Sequence, residues 1–223
     1  MSLFAYPKQA HFGRLLPKNK IYEKTRVSKS LRDKFVKQID KIVWQYKLST
    51  ETVYLPARKT VPEIEIFTIT LRDAELHADI LKCIDNAIPL PVIYELVFED
   101  KIKTKAAYKR PSDADSSKWV TDIYFETKWL KADAKREPLP VALDLELLYE
   151  QLLRSVMPVS RIDGEAIKDQ VGRLAEIRSL ENQAAKLESR LKKEKQFNRK
   201  VELNAELRTL KEQIGKLTTD GHR

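Results

Sequence analysis

Glu63-Ile64-Glu65-Ile66-Phe67-Thr68-Ile69-Thr70-Leu71 is the stretch on which the fold turns. Its residues alternate with the two-residue period of a strand. Ile64, Ile66, Thr68 and Thr70 fall on one face, and Glu65, Phe67, Ile69 and Leu71 on the other. Both faces are mostly apolar, which predicts a central strand covered on two sides. Downstream, Asp73 reads as the cap of a helix with the stripe Leu76, Ile80, Ile84 and Ile88, ended by Pro89 and Pro91. Val92 to Phe98 is a nearly continuous apolar run. Asp100 and Lys101 turn it back into a half-exposed strand in which Ile102, Thr104, Ala106 and Tyr108 alternate with Lys103, Lys105 and Lys109. After a polar loop over 110–118, Trp119 to Trp129 alternates again. A charged connection over 131–140 leads to Asp144, which caps a helix carrying Leu145, Leu148, Leu152 and Val156 before Pro158.

Upstream of the central strand, Ser30-x-x-Asp33 reads as a capping box opening a helix over 29–47, with Leu31, Phe35, Ile39, Ile42 and Tyr46 on one face. A short strand is expected over 52–55. The order is one of hairpins and meanders without repeated βαβ units. It predicts an α+β fold, a mainly antiparallel sheet with helices on one face.

From Glu165 onward the texture changes. Leu180, Ala184, Leu187 and Leu191 recur at steps of four and three, and so do Leu203, Leu207, Leu210, Ile214 and Leu217, in a different heptad phase. Either one long helix carries a discontinuity or the chain bends near Gln196–Asn198 into a helical hairpin. The expected organisation is thus an α+β domain over 1–160 and a charged, coiled-coil-like arm over 161–223. The apolar seam of the arm is a candidate interaction surface.

The chain has 223 residues, of which 42% are hydrophobic and 34% charged, so the charged excess must occupy surface or a solvated helix. The net charge of +9 is unevenly placed. Residues 1–60 hold 14 Lys/Arg against 4 Asp/Glu, residues 61–160 hold 13 against 18, and residues 161–223 hold 15 against 11. The N-terminal cations Lys8, Arg14, Lys18, Lys20, Lys24 and Arg26 are interleaved with Phe4, Tyr6, Phe12 and Tyr22. That pattern suits nucleic acid, an acidic partner, or aromatics that pin an extended segment to the domain. Lys192, Lys193, Lys195, Arg199 and Lys200 form a second basic cluster.

Motifs for enzymatic chemistry are sparse. None of the 5 glycines stands in a phosphate-binding loop, and His11, His77 and His222 show no metal-ligand spacing with Cys83 or with each other. No cofactor is expected. One carboxylate–lysine pattern is a candidate catalytic set: Asp122 and Glu126 on one strand face, with Lys128 in a Glu-x-Lys arrangement, as metal-dependent nucleases use. A single cysteine, no apolar leader after Met1 and no run of 18 apolar residues predict a cytoplasmic protein outside membranes.

Leu16-Pro17-Lys18-Asn19-Lys20-Ile21-Tyr22, Trp44 to Ser49, Ile84-Asp85-Asn86-Ala87-Ile88-Pro89, Leu143-Asp144-Leu145 with Leu148 to Leu152, and Lys195 to Asn204 together resemble a prokaryotic family described as a domain of unknown function. The resemblance covers nearly the whole chain and carries no catalytic motif. It implies an association with restriction-type helicases and DNA methyltransferases, and through them a role in DNA modification or phage defence. Three functional expectations follow. The first is a non-enzymatic accessory protein that docks a helicase or methyltransferase. The second is a nucleic-acid-binding module that uses the basic segments. The third is a metal-dependent nuclease. Self-association through the arm is compatible with each.

Overall fold

The computed structural model of the chain describes residues 3–115 and 117–219 and divides between Met157 and Pro158 into two units. In the first, strands β1 (Leu3–Ala5), β2 (His11–Leu15), β3 (Ile39–Leu48), β4 (Ile64–Leu71), β5 (Val92–Phe98), β6 (Lys101–Pro111), β7 (Trp119–Glu126), β8 (Leu130–Lys131) and β9 (Arg136–Pro138) are joined by helices. These are α1 (Lys18–Lys24), α2 (Lys29–Gln38), α3 (Thr50–Val53), α4 (Ala78–Ala87) and α5 (Leu145–Val156). The main sheet runs β2-β3-β4-β5-β6-β7, with β8 also on β6, and β1 pairs with β9 in a separate two-stranded sheet. Within the main sheet only β4 and β5 are parallel, joined by the crossover helix α4. Its other pairs are antiparallel, so the fold is α+β with one βαβ unit at its centre.

β4 lies between β3 and β5, as its two apolar faces predict. Phe67 and Ile69 join a core with Ile21 of α1, Phe35 of α2, and Ile80 and Ile84 of α4. Ile64 and Ile66, on the opposite face, are fully buried as well. Each such side chain contributes about 1.5–3 kcal/mol through removal from water.

The helix expected over 29–47 is two elements. α2 ends at Gln38, and Ile39–Leu48 is strand β3, paired with β4 from Ile39↔Leu71 to Leu48↔Ile64. The helical spacing of Ile39 and Ile42 misleads for a physical reason. The register shifts between Ile39 and Lys41, and this bulge resets the alternation so that residues three apart both face inward. Ser28, not Ser30, caps α2 by accepting from the Leu31 amide at 3.2 Å. The expected strand over 52–55 is instead the single-turn helix α3, capped by Ser49, with Thr52 reaching back to the Ser49 amide at 2.8 Å. His77 caps α4 where Asp73 was expected.

A second bulge lies where α4 and α5 attach. The register of β6 on β7 shifts between Ala107 and Lys109, with Asp122 and Ile123 of β7 both opposite Tyr108. Lys109 keeps the face of Lys105 and Ala107, which the alternation of β6 predicts exposed, and the end of α4 covers that face here. Lys109 is 1% exposed. Its ammonium donates to Asp85 Oδ1 at 3.2 Å, to the Asp85 carbonyl at 2.7 Å, and to the Ile88 carbonyl. Three donors thus meet three acceptors at the C-terminal end of α4, where the helix dipole favours a cation. Tyr124 of β7 donates to the other Asp85 oxygen. Burial pulls the Lys109 amine down and pushes the Asp85 carboxyl up, and each is opposed by its partner's charge. The Tyr149 hydroxyl of α5 bonds the backbone on either side of Tyr108, accepting from the Lys109 amide at 2.9 Å and donating to the Ala107 carbonyl at 2.8 Å.

The second unit is a helical hairpin. α6 (Ile167–Lys193) and α7 (Phe197–Thr219) pack together across the connection 194–196. Arg173 of α6 donates to the Leu217 carbonyl of α7 at 2.9 Å, and Lys211 pairs with Glu188 at 2.9 Å. Ala184 and Leu207 are buried. Leu180, Leu187, Leu191, Leu203, Leu210, Ile214 and Leu217 are half-buried. The seam expected to receive a partner is therefore covered in large part by the chain itself, because two seams of different phase meet across a bend. No helix among the described residues is long and apolar enough to cross a membrane.

Lys109→Met should strand the Asp85 carboxylate in the core and lower the unfolding free energy in urea by about 3–5 kcal/mol. Adding Asp85→Asn should recover part of that loss. An unchanged urea midpoint for the single variant would show that the pair contributes nothing.

Candidate functional site

Asp122 and Glu126, expected on one face of β7, are parted by a bulge: Asp122 and Ile123 both stand opposite Tyr108, which resets the alternation, so Tyr124 and Glu126 share the face of Ala107 and Lys105 and Asp122 lies on the other. Tyr124 is directed to Asp85. Glu126, at the strand end, binds both Lys105 at 2.8 Å and Lys103 at 3.2 Å, side chains of the neighbouring β6. Half-burial raises the Glu126 carboxyl, but the hydrogen bonds and charges of Lys105 and Lys103 outweigh it and hold the group below the usual range. Lys128 lies past the end of β7 and is exposed. Thr127 points the other way and secures this end of the sheet by accepting from the Thr104 amide at 3.0 Å. Among the described residues no three His, Cys, Asp or Glu side chains stand close enough to share a metal. His222 lies outside the described residues.

Several of the N-terminal cations are engaged within the first unit. Lys18 donates to the Ile39 carbonyl at 2.6 Å, and partial burial followed by the Arg72 charge pulls its amine down. Lys20 pairs with Glu23 at 3.1 Å. The Arg14 guanidinium lies over the Phe12 ring at 4.5 Å. Lys8 is exposed on the turn Lys8–Ala10, and Lys24, the last residue of α1, and Arg26, between α1 and α2, are exposed as well. The interleaved aromatics face inward: Tyr6 packs on Tyr46 at 4.8 Å, Phe12 on Trp44 at 4.4 Å and Tyr22 on Phe35 at 5.3 Å. Of the readings the sequence leaves open for these rings, pinning the N-terminal segment to the sheet is the one observed.

Two surface features stand out instead. The first is apolar. A groove of about 270 Å³ runs between Val53–Leu55 and Leu139–Ala142 on the first unit. Tyr54, held at φ 57° where α3 ends, is 77% exposed beside it, and Val141 and Leu143 are 91% and 82% exposed. The two sides are tied by Arg58 to Asp144 at 2.8 Å and by the Leu145 amide to the Pro56 carbonyl at 3.0 Å. The only signal for this patch in the sequence is an apolar run, Leu139-Pro140-Val141-Ala142-Leu143, that fits neither helical nor strand period. Nothing in it singles out Tyr54.

The second feature is the tip of the hairpin. Lys192, Lys193, Lys195, Arg199 and Lys200, grouped by sequence, are all exposed around the turn between α6 and α7. Phe197, the first residue of α7, is 77% exposed among them. Glu194 shapes the turn by accepting from the Lys195 and Gln196 amides at 2.7 and 2.9 Å, and those bonds hold its carboxyl below the usual range.

One buried acid also titrates abnormally. Glu65 of β4 is fully buried opposite Lys47 of β3. Burial, then the charge of Glu63, pushes its carboxyl up to about 8, against the Trp44 indole and the Lys47 charge. Lys47 itself is engaged with Glu63 at 2.5 Å. A strand glutamate between isoleucines carries no sequence signal of burial. Because the folded state holds this proton to higher pH than the unfolded chain, the stabilisation is complete below the unfolded pKa and is lost as pH rises towards 8. Glu65→Gln should therefore gain stability over the parent at pH 8.5 by of the order of a few kcal/mol, and much less at pH 4. Urea midpoints at the two pH values measure the difference, and equal gains at both would contradict the assignment.

No curated protein matches the chain, and no solved structure does. The family described as a domain of unknown function, DUF4391, matches residues 4–214, a span that contains the sheet, the crossover helix and nearly all of the hairpin. The chain belongs to the DUF4391 family.

Proposed function

We propose that this protein is a non-enzymatic accessory protein of a DNA-modification or phage-defence system, docking a larger helicase or methyltransferase. The observation that carries this reading is the apolar patch of Tyr54, Val141 and Leu143 around its groove on the first unit. Monomeric proteins scatter exposed apolar side chains singly, whereas grouped ones beside a groove mark a contact surface. The leucine seam of the arm is a weaker candidate for the same role, since α6 and α7 cover much of it between them. The helicase or methyltransferase as occupant comes from the family resemblance.

A second reading, a nucleic-acid-binding module, is favoured by the cations at the hairpin tip. The N-terminal cations support it less, because Lys18 and Lys20 are engaged within the domain.

A tagged full-length chain, captured from a native-type host with nuclease treatment, tests the docking reading. The wild-type chain should retain a helicase or a methyltransferase identified by mass spectrometry. The Val141→Lys/Leu143→Lys variant should lose it while keeping the wild-type melting temperature. Equal capture by the variant moves the interface elsewhere. Capture of neither enzyme by the wild-type chain ends the accessory reading.

A further inference from the structure

We infer that the tip of the α6–α7 hairpin binds single-stranded nucleic acid, the phosphates held by Lys192, Lys193, Lys195, Arg199 and Lys200 and an unstacked base lying on Phe197. The inference rests on the nucleic-acid reading above and names the form of the ligand.

Three observations lead to it, and none of them serves the fold. First, α7 begins with Phe197, carries no acidic side chain in its first turn, and places Arg199 and Lys200 there. The N-terminal end of a helix carries partial positive charge, and cations beside it are unfavourable unless an anion joins them. Second, the nearby acids offset the cluster only in part, Glu188 feeling the charge of Lys192 and Glu194 those of Arg199 and Lys200. Glu194 is turned onto the backbone amides of the connection, and Arg199 stands 3.9 Å from it. Lys192, Lys193, Lys195 and Lys200 have no carboxylate at ion-pair distance among the described residues. Third, the Phe197 ring is 77% exposed and stacks on no other ring among the described residues, and Val201, one turn further on the same face, is 53% exposed.

A duplex offers phosphates to such a surface and keeps its base faces covered. A single strand offers both phosphates and unstacked base faces, which matches cations set around an exposed ring. Two apolar side chains are too little surface to anchor a protein in a bilayer, so anionic lipid fits less well. DNA and RNA single strands share the chemistry that this tip recognises.

Fluorescence anisotropy with the full-length chain tests the inference, using labelled oligo-dT and oligo-U of about 20 nucleotides, a duplex of the same length, and phosphatidylserine vesicles as competitor. A single strand of either sugar should bind more tightly than the duplex, and vesicles should not displace it. Phe197→Ala should weaken single-strand binding by about 5- to 100-fold and leave duplex binding unchanged. Arg199→Glu/Lys200→Glu should abolish binding to all oligonucleotides while keeping or raising the melting temperature, since it places acids at the start of α7. If single strand and duplex bind equally and Phe197→Ala affects neither, the single-strand inference is overturned while the nucleic-acid reading stands. If no oligonucleotide binds, or only vesicles do, both fall.

Discussion

The buried ammonium of Lys109 is the interaction on which the first unit depends. It joins the C-terminal carbonyls of the crossover helix to the long strand β6, and the backbone on either side of Tyr108 bonds the Tyr149 hydroxyl of α5. One short stretch of β6 thereby fixes two helices. An isolated ammonium in this core would cost several kcal/mol, so the site tolerates the charge only because its three protons and the Asp85 carboxylate are all matched. The geometry leaves little freedom in where α4 ends: a shift of one residue would move the carbonyls away from the ammonium.

That demand explains why the centre of the sheet departs from the meander of its edges. A parallel pair requires a crossover, and the crossover helix must be held at both ends. At its start His77 caps α4, and at its end Lys109 collects its carbonyls. The other neighbours in the main sheet pair antiparallel, which requires no crossover helix.

Charge is divided between engaged and free groups in a way that composition does not reveal. Lys18, Lys47, Lys103, Lys105 and Lys109 each hold a carbonyl or a carboxylate within the first unit. The cations at the hairpin turn hold almost nothing. Tyr54, Val141 and Leu143 are the apolar counterpart on the first unit, exposed beside a groove that contributes little to the core. Surfaces that cost the fold something and give it nothing are the ones on which the functional reading rests.

The sequence by itself determined the α+β class, the central position of β4, the run of β5, the amphipathic stripes of α4 and α5, and a break in the seam of the arm, which left open an interrupted helix or a hairpin. These follow from local periodicity, because a side chain's face is set by its neighbours two, three or four residues away. The basic residues of the tip were equally legible, being consecutive in the chain. Tertiary structure alone decided the rest. A bulge at Ile39–Lys41 gave β3 the inward spacing of a helix, a bulge of β7 opposite Tyr108 parted Asp122 from Glu126, and the end of α4 covered a lysine that the pattern places in water. The burial of Glu65, the closing of the leucine seam on itself, and the convergence of Tyr54 with Val141 and Leu143 each depend on segments distant in the chain. The physical reason is common to all of them: periodicity reports which way a residue points along its own element, and says nothing of what the other elements bring to meet it.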